Sequence, residues 1–371
     1  MKKIVLSLGI AIELFGHAGH IEMEENQSFA YGAFFNLSYR DTDLYPKGIE
    51  QANGFDNHGK PNEIVMEHIG GFVSGQVDKY VYNLEFNHHA RMQWSGNNLV
   101  EKLYVGYKTD NELVKIGRDI NHVSFVDTKD WGYGFIKMPL AVDSFFDKTL
   151  FGDGLFMTYT SNSFKVSTDY MNEMYTHKGR KTLKASYDFG DVQIISYVQQ
   201  RDKVQSREDF SSAIHTHTHG AGCDNLSGSE MCVGNEGWLY GLGSQVTLDG
   251  YEIVGEYLSL QNSGDVRDNN YKVDHTTNVK SAYLQILSKN EKFNYGVRSE
   301  VFWYDKKLSG SGASIIANEM NIASGDENSK YLHTLNISYT IDPYQKVFFE
   351  NSYSNNDNAV RVNYLFRFMQ K

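Results

Sequence analysis

The chain has 371 residues, 14% aromatic, with 33 Gly and only 4 Pro, and its formal net charge is -11. That charge disfavours a nucleic-acid partner, because phosphate backbones select basic patches. No run of about 20 apolar residues occurs, so no transmembrane helix is expected. The mean hydropathy of -0.48 leaves a membrane barrel open, because lipid-facing and lumen-facing residues alternate along its strands and average like a soluble protein.

At the N-terminus, Lys2 and Lys3 precede the apolar stretch Ile4 to Phe15 and the small-residue exit Gly16-His17-Ala18. This reads as a signal peptide over residues 1–18, with Glu13 against it, and leaves 19–371 as a single barrel domain. Export places the chain in an oxidising compartment, where Cys223 and Cys232 are expected to bond.

From there on, segments of about ten residues with period-2 alternation recur. In Tyr80 to Trp94, Tyr82, Leu84, Phe86, Ala90, Met92 and Trp94 share one face. Asn83, Glu85, Asn87, His89, Arg91 and Gln93 share the other, with His88 the exception on the apolar side. Phe293 to Tyr304 repeats the pattern, placing Arg298 and Glu300 among Val297, Val301 and Trp303. In the last segment Val360, Val362, Tyr364, Phe366 and Phe368 oppose Arg361, Asn363 and Arg367. An apolar face backed by a charged one fits lipid outside and water inside. About sixteen such segments are expected. They begin near Phe29, Asn62, Tyr80, Leu99, Glu112, Asp153, Phe164, Lys181, Val192, Gly237, Tyr251, Thr276, Phe293, Ser329, Gln345 and Asn358.

The connections sort by parity. Every second one is a tight turn: Val77-Asp78-Lys79, Thr109-Asp110-Asn111, Ser161-Asn162-Ser163, Phe189-Gly190-Asp191, Leu248-Asp249-Gly250, Asn290-Glu291-Lys292 and Ile341-Asp342-Pro343-Tyr344. The long ones fall in the other set: Asp41 to Pro61, Asp119 to Gly152, Asp202 to Glu236, Asn262 to His275 and Lys306 to Asn328. A β-sandwich has no reason to sort its loops this way. A transmembrane antiparallel barrel of a Gram-negative outer membrane does, with short periplasmic turns and long external loops.

Leu103-Tyr104-Val105-Gly106-Tyr107-Lys108, a turn, and Leu113-Val114-Lys115-Ile116-Gly117-Arg118 lead into the long third loop. Tyr364-Leu365-Phe366-Arg367-Phe368 sits near the C-terminus, with Met369-Gln370-Lys371 beyond it. In these segments the chain resembles the sixteen-stranded outer-membrane porins and, more loosely, the phosphate-selective porins, although it lacks the dense Lys/Arg ladder that would select phosphate. The resemblance implies that the third external loop folds into the pore, and that the barrel is a homotrimer by analogy.

In that loop Asp127, Asp130, Asp143 and Asp147 would face wall residues Glu85, His89, Arg91, Arg298, Glu300 and Arg361 across a pore. Acid facing base there makes a transverse field that orders polar solutes. Between Ile214 and Cys232, His215, His217 and His219 alternate with Thr, which puts three imidazoles on one side of an extended loop. Imidazole suits a transition metal, and thiolates of Cys223 and Cys232 would join only if unbonded. No cofactor is expected apart from such an ion. Phosphate loops, His-Glu-x-x-His, Cys-x-x-Cys and Gly-x-Ser-x-Gly motifs are absent, so no enzyme is expected. The reading is a diffusion channel with a mild cation preference, set by the net charge. A transition-metal channel collecting ions through the His cluster is the alternative, and an adhesin or other non-channel barrel the second.

Overall fold

A computed structural model describes residues 27–40, 63–89, 100–120, 124–125, 135, 139, 151–173, 179–208, 231–268, 270–290, 292–319, 327–354 and 357–370. The expected signal segment, residues 1–18, lies outside them. The strands are β1 (Gln27–Arg40), β2 (Glu63–Val77), β3 (Tyr80–His89), β4 (Val100–Lys108), β5 (Glu112–Ile120), β6 (Phe151–Ser161), β7 (Phe164–Glu173) and β8 (Gly179–Asp188). They continue with β9 (Val192–Glu208), β10 (Met231–Leu248), β11 (Tyr251–Arg267), β12 (Lys272–Ser288), β13 (Phe293–Ser309), β14 (Glu327–Asp342), β15 (Gln345–Ser354) and β16 (Asp357–Gln370), and a short helix α1 (Ala313–Glu319) precedes β14. Each strand pairs with its sequence neighbours, and β1 pairs antiparallel with β16, so the sheet is a closed sixteen-stranded barrel. Closure removes the two edges that would otherwise expose unpaired backbone. Outside the seam, the Phe35 and Phe366 rings stack at 5.2 Å.

The tight turns all lie at one end. Asp78 (φ 53°), Asn162 (φ 44°), Gly190 (φ 93°) and Gly250 (φ 75°) take the left-handed conformation that two-residue hairpins require. At this end the outward residues form an aromatic girdle in which Tyr80 meets Tyr107 edge-on at 5.8 Å and the Tyr251 and Tyr295 hydroxyls are 2.8 Å apart. Such girdles mark a membrane–water interface. Above it the outward side chains are apolar, for instance Leu284 and Ile286 on β12 and Leu335 on β14.

The wall is uneven in height. β9 to β14 contain between 16 and 18 residues each, whereas β3 to β8 contain between 9 and 11. A tilted strand of about 9–11 residues crosses the hydrocarbon, so the tall strands project beyond it. On β11 the outward residues turn polar above Tyr257, at Ser259, Gln261 and Ser263. At the top, Ile316 of α1 packs on Val266 and Val273, with Leu308 and Ala313 beside them.

This projection corrects two expected boundaries. β10 begins at Met231 and not near Gly237, and β12 at Lys272 and not near Thr276, so the long connection expected over Asn262 to His275 shrinks to residues 268–271. The reason is physical: beyond the lipid the outward face is polar, as at Lys272, Asp274 and Thr276, so the apolar/polar alternation that signals a strand disappears while hydrogen bonding continues. Helix α1, within the expected Lys306 to Asn328 connection, was not foreseen either.

Candidate functional site

The lumen is lined by the inward alternate of every strand. Between β5 and β6 the long loop is described at Ser124, Phe125, Phe135 and Pro139, and all four are buried. Ser124, Phe125 and Phe135 lie against the inner wall of the tall strands. This is the inward folding that the family resemblance implied.

Two anchors hold the loop there. At the first, the carboxylate of Glu256 on β11 is buried and accepts three hydroxyl hydrogen bonds: from Ser124 Oγ at 2.7 Å, Tyr197 Oη at 2.9 Å and Tyr283 Oη at 2.6 Å. A carboxyl group out of water needs such partners to offset its burial. One comes from the loop and the other two from β9 and β12, so the hydrogen bonds tie loop to wall. Beside it, inward glycines on β10 make a recess. Tyr197 lies over Gly241, and a Cβ at Gly243 would meet the Phe125 ring at 3.0 Å.

At the second anchor, Phe135 lies on the backbone of β13, where a Cβ at Gly296 would meet its ring at 2.8 Å. The Arg298 guanidinium is 4.7 Å from the ring centroid, within cation–π range. Arg298 Nε donates to Glu300 Oε1 at 2.8 Å.

The opposite wall carries paired charges on its inward face. Lys102 and Glu85 pair at 2.7 Å between β4 and β3. Lys115 pairs with Asp119, and its ammonium stands 4.7 Å from the Tyr104 ring centroid and 5.5 Å from that of Phe156. Arg361 on β16 sits in register with Glu350 on β15, and Glu350 accepts from Asn336 Nδ2 at 3.4 Å. Opposite charges thus alternate around the lumen at close quarters.

Of the residues expected to line a constriction, Glu85, Arg298, Glu300 and Arg361 are on inward faces. Arg298, Glu300 and Arg361 are 1%, 3% and 3% exposed. Arg298 lies under Phe135, and none of the three faces open solvent, because alternation gives the face but not what covers it. His89 closes β3 in register with His68. Arg91, Asp127, Asp130, Asp143 and Asp147 lie outside the described residues, as do His215, His217, His219 and Cys223. Cys232 is buried and disulfide-bonded, and Cys223 is the chain's other cysteine. Among the described residues no group of three or more His, Cys, Asp or Glu could hold a metal.

Glu256, Tyr197, Tyr283, Gly243 and Gly296 were not singled out in the sequence. The signal was there for the glycines: Gly237, Gly241 and Gly243 share the inward face of one strand, where a side chain would ordinarily fill space.

No protein-family model matches the chain, and no curated protein matches it. Solved structures do share its fold. An in-vitro folded OmpT, an outer-membrane protein of Vibrio cholerae in a trimer form, is 15% identical with a TM-score of 0.62, covering 93% of this chain and 100% of its own. OmpF of Salmonella typhi, in complex with daunomycin, is 10% identical with a TM-score of 0.56, covering 94% and 100%. OprB of Pseudomonas putida is 10% identical with a TM-score of 0.54, covering 98% and 96%. The fold is therefore that of Gram-negative outer-membrane porin-type barrels.

Proposed function

We propose that the chain forms a water-filled channel in a Gram-negative outer membrane for passive diffusion of small hydrophilic solutes and ions. The observation that carries this is the pinned loop. Glu256 and Arg298 hold it against the tall wall, which leaves the half-buried Glu85–Lys102 pair and Lys115 on β3, β4 and β5 to face the passage. No catalytic step is assigned to these groups. Their paired charges order polar solutes, and the overall acidity gives a mild cation preference. Liposomes containing the protein are expected to swell in small sugars at rates falling with solute size, with a reversal potential in a KCl gradient of cation-selective sign. Swelling equal to that of empty liposomes would defeat the diffusion reading, and an anion-selective sign would defeat the preference.

We further propose that copies associate through the short wall, as a trimer by analogy. Over β4, β5 and β6 the lower girdle is complete at Tyr107 and Tyr159, but the upper outward positions are Leu103, Arg118 and Asp153. Arg118 Nε and Nη2 each donate to the Asp153 carboxylate at 2.9 Å. A lipid-facing Arg costs up to about 2–4 kcal/mol, so a charged pair at this depth suits a surface covered by protein. Replacing Arg118 by Leu is expected to shift unheated, detergent-solubilised protein from oligomer to monomer. An unchanged oligomer would put this contact elsewhere.

A further inference from the structure

On the outer face of β8 to β11, the small side chains Ala185 and Ser196 leave a groove of ≈ 500 Å³ walled by Leu183, Val198, Tyr240 and Tyr257. Its volume falls in the range of ligand sites, about 300–1,000 Å³. Its walls are apolar at the depth of the lipid belt, which suits an acyl chain held by dispersion contacts. Bulk lipid would meet that need anywhere on the barrel, so the groove alone names no ligand.

The row above the groove does. Lys181 lies opposite Gln200, Gln200 opposite Trp238, and Trp238 opposite Gln261. Tyr240, two residues from Trp238, lies opposite Ser259, and Ser259 opposite Lys280. Lys181 and Lys280 therefore flank the Trp238–Tyr240 strand, each two strands or roughly 10 Å away. Both lysines are exposed, and neither makes an ion pair among the described residues. The Trp238 and Tyr240 rings stack on each other at 6.3 Å with 12° between planes, and both are exposed to the outside. Flat aromatic faces accept the apolar face of a sugar ring, the flanking amides of Gln200 and Gln261 can bond its hydroxyls, and ammonium groups take phosphates as point charges.

We infer that this face binds a phosphorylated glycolipid of the outer leaflet. One acyl chain lies in the groove over Ala185 and Ser196, a sugar rests on Trp238 and Tyr240, and phosphates meet Lys181 and Lys280. The inference rests on the membrane placement proposed above and not on the diffusion reading.

The test is native mass spectrometry of the full-length, delipidated protein titrated with a diphosphorylated bacterial glycolipid, its dephosphorylated form, or phosphatidylglycerol. The diphosphorylated form is expected to bind best. The double variant Lys181→Ala/Lys280→Ala should weaken it by about thirtyfold, as the loss of two lysines at a membrane surface implies, and Ala185→Phe should exclude it by filling the groove. Because all three positions face outward, circular dichroism and single-channel conductance should stay as in the parent, which separates this result from any failure of the channel reading. Equal binding by the variants, or equal binding of the dephosphorylated form or of phosphatidylglycerol, would overturn the inference.

Discussion

Replacing Glu256 by Ala is expected to turn a steadily open channel into a flickering one. The carboxylate accepts hydrogen bonds from Ser124, Tyr197 and Tyr283, and Ser124 belongs to the loop. A hydrogen bond contributes roughly 0.5–1.5 kcal/mol net. Losing the loop's own bond lowers the ratio of pinned to released loop by up to about tenfold. The Tyr197 and Tyr283 hydroxyls also lose the bonds they donate to it, which weakens the seat under Phe125 as well. A released loop has only the lumen to move into, so partial closures should become frequent and mean open time should fall by about tenfold. Ser124→Ala removes one bond and should flicker less, and Glu256→Gln, which keeps an acceptor oxygen, should fall between. Gating indistinguishable from the parent in Glu256→Ala would mean that the loop is held by something else.

Arg298→Ala is expected to have the largest effect on stability. Arg298 and Glu300 are almost fully buried and bonded to each other at 2.8 Å. Removing the guanidinium takes a hydrogen-bonded cationic partner from a buried carboxylate, at a cost of about 3–5 kcal/mol, and removes the cation–π contact to Phe135, worth about 1–2 kcal/mol in a desolvated site. The double replacement Arg298→Met/Glu300→Leu removes both charges together and should recover most of the loss. Urea unfolding in lipid vesicles, followed by tryptophan fluorescence, measures both. A loss under about 1 kcal/mol for Arg298→Ala would show that water reaches Glu300.

Much of the fold was legible in the sequence because a lipid-crossing strand has its two faces in opposite solvents. Tyr82, Leu84 and Phe86 against Asn83, Glu85 and Asn87 is that contrast written out, and the tight turns at Asp78, Asn162, Gly190 and Gly250 added their own chemistry. Where the contrast vanished, so did the reading. Ser263 on β11 and Lys272 and Asp274 on β12 face water outside the membrane, so the tops of these strands, between Asn262 and His275, read as loop although they are hydrogen-bonded to each other.

The site was legible only by face. Alternation put Arg298 inward, but Phe135 of a loop 163 residues earlier in the chain covers it, and no local pattern carries that. Glu256 was hidden for the same reason, since its three donors come from residues 124, 197 and 283 and meet only after the barrel closes. The aligned glycines of β10 were the one local trace of the loop's seat. Their meaning depends on knowing that Phe125 fills the space they leave.

The most direct test of the channel is single-channel recording of the refolded protein in planar bilayers, with its β-structure verified by circular dichroism. The account predicts steady, ohmic conductance steps in the parent protein, broken into rapid partial closures by Glu256→Ala. A folded barrel that inserts and passes no current would contradict it.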